Sequence, residues 1–155
     1  MATLTTTITE SLTLNGAAQG GTNTLSITGI NEVYKRIVSC TNDVDTTLVI
    51  FRAAVNTADA AVDIEDTRYV RVTNLDGSNT VNLSLQIDTG TDGADHQTTI
   101  LLNAGQSFII GPTDAAIATS DDTAAVDTSL NDVESIIAHP TGAAVVNVEI
   151  FVASV

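Results

Sequence analysis

The stretch from Arg68 to Ile87, RYVRVTNLDGSNTVNLSLQI, decides the fold class. Val70 and Val72 alternate with Arg71 and Thr73. After a polar interval, Val81, Leu83, Leu85 and Ile87 alternate with Asn82, Ser84 and Gln86. A period of two gives a strand one buried and one solvated face. The interval Asp76-Gly77-Ser78-Asn79 offers residue types that accept positive φ, so the spacing predicts a hairpin of 68–74 against 81–87.

Outward from this pair the same period recurs. Downstream, a polar loop from Asp88 to Gln97 leads to a second expected hairpin, Thr98 to Leu102 against Gln106 to Ile110, turning at Asn103-Ala104-Gly105. Gly111-Pro112 ends it, because proline cannot donate to a ladder. Residues 113–133 are rich in Ala and Asp and read as an irregular loop or a short helical turn near Asp122 to Val126. A strand follows at Glu134 to Ala138, then a turn at His139-Pro140-Thr141-Gly142. The strand Ala143 to Ala153 closes the chain, with Val146, Val148, Ile150 and Val152 on one face and Val145, Asn147, Glu149 and Phe151 on the other.

Upstream, Leu4, Ile8, Leu12 and Leu14 alternate with a run of threonines, as a strand with one partly buried face would. Asn15-Gly16 and Gly20-Gly21 punctuate it. Strands are expected at Thr22 to Thr28, with Leu25 and Ile27 inward, and at Val33 to Cys40. Asn42-Asp43 marks a turn. Thr46 to Ala53 is a nearly continuous apolar run suited to a central, well-covered strand, and residues 54–66 read as a connection. About nine strands at this spacing make an all-β chain, an antiparallel β-sandwich or barrel. Immunoglobulin-like and jelly-roll orders share this spacing. No helical stretch long enough for a βαβ unit is present, so a parallel sheet is not expected. The 155 residues read as one domain, 1–155, with residues 1–15 as an arm or an edge strand.

Composition narrows the function classes. Five basic against 19 acidic residues give a net charge of −14, which argues against nucleic acid and anionic membranes as partners. Residues 1–20 have neither the charged start nor the apolar run of a signal peptide, and no stretch approaches 18 apolar residues. Cys40 stands alone, so an internal disulfide is excluded and a small buried hydrophobe is expected. His96 and His139 lie in no nucleophile or metal motif, and an enzyme is not expected. Asp88, Asp92 and Asp95 share a glycine-containing loop and are the calcium candidates. Their spacing departs from the EF-hand pattern, so a solvated acidic loop is the favoured reading and no cofactor is expected. With no Trp and two Tyr, the chain has little of the aromatic surface on which sugars stack. Its strand faces outside the core are Thr, Ser, Asn and Ala, which pack against another subunit at small desolvation cost.

Three phrases carry a resemblance. Arg68 to Asp76 (RYVRVTNLD), Leu102 to Phe108 (LNAGQSF) and Ala144 to Ser154 (AVVNVEIFVAS) together resemble segments of small structural proteins of tailed-phage virions. That resemblance implies a jelly-roll-like domain, often a homotrimer, that decorates or cements a capsid by binding the major capsid protein, or that sits in the tail, neck or fibre. With −14 charges the outer capsid surface is the expected address, after synthesis in the bacterial host cytoplasm. The Thr-rich strand from Ala2 to Asn15 either reaches a neighbour by β-augmentation or closes its own sheet. A carbohydrate-binding or adhesin-like sandwich is the alternative outside the virion.

Overall fold

A computed structural model describes residues 1–53, 61–88, 96–119, 126–142 and 144–155. Among these the chain is all-β, with 13 strands and no helix. The first four form a separate ribbon: β1 (Ala2–Thr9), β2 (Thr13–Leu14), β3 (Ala17–Ala18) and β4 (Thr22–Ile30). The rest build two facing sheets: β5 (Glu32–Cys40), β6 (Thr46–Arg52), β7 (Val62–Asp63), β8 (Thr67–Asn74), β9 (Val81–Asp88), β10 (His96–Leu102), β11 (Ser107–Ile110), β12 (Asp132–Pro140) and β13 (Val146–Ser154).

One sheet runs β10-β9-β12-β6-β7 and the other β11-β8-β13-β5. Leaving aside the two-residue β7 and numbering the eight remaining body strands in chain order, the sheets read 5-4-7-2 and 6-3-8-1. That is a jelly roll: two Greek keys wrapped into a sandwich. Among the described residues, parallel pairing is confined to Phe51 and Arg52 of β6 against β7.

The core lies between the sheets, where the alternation places it. Val70 and Val72 from β8 and Val146, Val148, Ile150 and Val152 from β13 face Val81, Leu83 and Leu85 from β9 and Ile136 from β12. Leu48 and Phe51 of β6 fill the same layer. Each such side chain contributes roughly 1.5–3 kcal/mol on full burial. Cys40 is fully buried with them, and burial pushes its thiol pKa up.

Both expected body hairpins prove to be something else. The 68–74 and 81–87 segments are strands of the expected period, but β8 pairs with β11 and β13, while β9 pairs with β10 and β12. The loop at 75–80 therefore carries the chain across the core, from one sheet to the other. The same holds for β10 and β11, joined through Gly105 at a φ of 73°. Each pair presents its apolar faces to one another across the sandwich, which satisfies the same period of two as a hairpin would. The true body hairpin is β9 with β10, across the polar loop.

Smaller expectations also change. Leu25 lies on the body-facing side of its strand but beyond the body, and is half exposed. Val33 and Ile37 of β5 face outward, whereas Val38 and Cys40 face the core. His139 and Pro140 extend β12, and Pro140 lies opposite Val81. The run 46–53 is well covered but sits one place from the sheet edge. The proposed helical turn near 122 falls mostly outside the described residues.

Candidate functional site

The N-terminal ribbon is the part of the molecule that the sandwich does not absorb. β1 pairs with β4 from Ala2 opposite Ile30 to Thr9 opposite Thr22. The pairing continues past β2 and β3 to a tip at Asn15-Gly16, whose φ values of 51° and 78° suit a two-residue hairpin turn. At roughly 3.3–3.4 Å per residue, the strand path from residue 2 to residue 14 spans about 40 Å.

Its two faces differ. On one, Thr3, Thr5, Thr7 and Thr9 stand opposite Thr28, Ser26, Thr24 and Thr22. The hydroxyls of Thr7 and Thr24 lie 3.3 Å apart, and those of Thr9 and Thr22 lie 3.4 Å apart. On the other face Leu4 meets Ile27, Thr6 meets Leu25 and Ile8 meets Asn23. The first of these pairs packs on Tyr69, Ala153 and Ile30, which fastens the ribbon base to the outer face of the four-stranded sheet. Beyond the base this apolar face is open: Ile8 is 49% exposed and Leu25 52%, with Leu12 57% and Leu14 56% toward the tip.

Under the ribbon runs a cleft of about 310 Å³, between Leu4 and Thr5 to Thr7 on one side and Tyr69, Arg71 and Phe151 on the other. Tyr69 meets Phe151 edge to face, with ring centroids 6.1 Å apart, and the Arg71 guanidinium lies over the Phe151 ring at 5.9 Å. Glu149 bridges Arg71 and Lys35, the latter at 3.2 Å. Arg71 Nε has no hydrogen-bond partner among the described residues. The adjoining strand β5 ends this sheet, so among the described residues no strand pairs with the far side of its nine-residue backbone.

A second cleft, of about 370 Å³, lies at the end of β6, lined by Phe51, Arg52, Ile64, Asp88, Asp132 and Glu134 among others. Asp132 stands opposite Asp88, and Glu134 is the extra residue of a bulge between Val133 and Ser135. Among the described residues no three His, Cys, Asp or Glu side chains are grouped to hold a metal ion. Of the calcium candidates, Asp88 ends β9, and Asp92 and Asp95 lie outside the described residues. His139 Nδ1 sits 2.8 Å from an Asp45 carboxylate oxygen at the molecular surface, and His96 opens β10 in an exposed position. The sequence singled out the first strand as an arm or an edge strand but missed its partner β4, because both read as ordinary half-buried strands.

No protein-family model matches the chain, nor does any curated protein or solved structure.

Proposed function

We propose that this chain is a structural virion protein that decorates the outer surface of a phage head and reinforces the shell through protein–protein contacts, as a homotrimer. The observation that carries the reading is the ribbon. An exposed arm of some 30 residues, which includes Glu10 as its one charged side chain, is a contact element in search of a surface. The three phrases that resemble virion proteins fall on β8, on the β10–β11 crossing and on β13. They therefore carry the scaffold, and the arm carries the choice of partner. The remaining surface is acidic, which favours the outside of a DNA-filled head over its interior.

The test is co-sedimentation of the purified protein with tail-less heads, and separately with tails, of the phage that encodes it. Saturable binding to heads, with a rise in their thermal stability, is the expected result. Binding to tails alone would move the protein to the tail, neck or fibre. Binding to neither, with retention on a glycan array, would favour the adhesin-like alternative.

A further inference from the structure

We infer that the ribbon of one copy seats on the β5 end of the four-stranded sheet in a second copy, head to tail. The inference rests on the homotrimer element of the function proposed above, and it stands apart from capsid binding. Two surfaces of the chain are left incomplete among the described residues, and they complement each other. The ribbon has an apolar face that begins packed on its own body and then continues, uncovered, through Leu25, Ile8 and Leu12. A two-stranded ribbon is marginal in water without a further layer or strand. Strand β5 supplies what the ribbon lacks: an open nine-residue edge, beside which Val33 is 52% and Ile37 58% exposed. Long open edges of this kind are covered in stable proteins.

Charge identifies the occupant. Copies bearing −14 each repel one another over most of their surface, so self-association needs surfaces poor in net negative charge. The first 31 residues contain Glu10 as their single charged side chain. Of the five basic residues, Lys35 and Arg36 lie on β5 and Arg68 and Arg71 on β8 of the same sheet, against two acids on its strands, Glu32 and Glu149. The ribbon and the β5 end are thus where an acidic neighbour can approach. Because the two surfaces differ, the contact is heterologous, and closure at three copies makes a ring.

The experiment is light scattering on the full chain and on charge-inserting variants, with circular dichroism and a cooperative melt to show that each is folded. Wild type should have three times the 16.0 kDa chain mass. A ribbon variant (Ile8→Asp with Leu25→Asp) and an edge variant (Ile37→Asp) should each fall threefold in mass. Leu101→Asp, at a 55% exposed site on the other sheet, should stay trimeric. Mixing the ribbon and edge variants should give a dimer, since each keeps the half the other lacks. Failure of that mixture to associate would overturn the head-to-tail contact, and an edge variant that keeps the wild-type mass would overturn it in favour of ribbon-on-ribbon pairing. Hydrogen exchange on wild type needs no substitution. Amides of residues 3–9 and 33–39 should lose protection on dilution, and unchanged protection would overturn the proposal, as would a wild-type monomer at every concentration. A trimer that ignores phage heads would overturn the decoration function alone.

Discussion

The side-chain amide of Asn74 donates to the carbonyl of Leu102, 3.3 Å away and 28 residues further along the chain. It also donates to the Asn79 carbonyl at 2.8 Å, while the Asn74 backbone N–H donates to Gln106. Asn74 is fully buried, and it pins together the two crossings that carry the chain between sheets. Asn74→Ala should leave these carbonyls without that donor and cost about 1–3 kcal/mol in denaturant unfolding. A loss under about 0.5 kcal/mol, the usual range for a surface change, would show that the crossings are held elsewhere.

Core truncations separate the two faces of the strands. Leu83→Ala and Ile150→Ala each remove a fully buried side chain and should cost about 2–5 kcal/mol. Leu101→Ala, exposed on β10, should stay within about 0.5 kcal/mol of wild type by the same measurement.

Asp76 should make stability depend on pH. Its carboxylate accepts the Asn79 and Ser78 amides, at 2.7 and 2.8 Å, and these bonds hold its pKa below the ordinary carboxylate value. The folded state therefore binds that proton more weakly than the unfolded chain does. The contribution is complete above the unfolded pKa of about 3.9 and is lost as pH falls through the folded value. Asp76→Asn should lower Tm at neutral pH, and the gap to wild type should narrow in acid. A gap of constant size from pH 7 to pH 2 would remove the carboxylate charge from the explanation.

The Lys35–Glu149–Arg71 bridge should prove unequal. Lys35 is 55% exposed, so Lys35→Ala should cost at most about 1 kcal/mol, and salt should shrink that cost. The Glu149 side chain is 13% exposed and takes a charged hydrogen bond from Arg71, so Glu149→Ala should cost more, about 1.5–3 kcal/mol. Equal costs for the two variants would count against this ranking.

What the sequence disclosed and what it withheld have one physical source. Side-chain alternation is a property of each strand alone, so Val70, Val72 and the Val146-to-Val152 series were legible as core, and Asn15-Gly16 as a tight turn. Turn residues such as Asp76-Gly77-Ser78-Asn79 report that the chain reverses. They do not report whether it returns beside itself or over the core, since both routes bury the same face. The ribbon was hidden for a related reason. Leu25 and Ile8 have the spacing of core residues, and only the three-dimensional pairing shows that they have no body to cover.

Strand β13 lies between β8 and β5, in the interior of its sheet, yet it is made after every other strand described. While the chain is still being synthesised, β5 and β8 exist with no strand to join them, and the core between the sheets lacks Val146, Val148, Ile150 and Val152. The four-stranded sheet can only assemble once the ribosome has delivered residues 146–154. Pairings of such long sequence separation form on the millisecond-to-second scale. During that interval the unpaired edges of β5 and β8 are exposed to other nascent chains on the same message. Folding yield should thus respond to how densely ribosomes are spaced along the transcript as well as to the finished protein's stability.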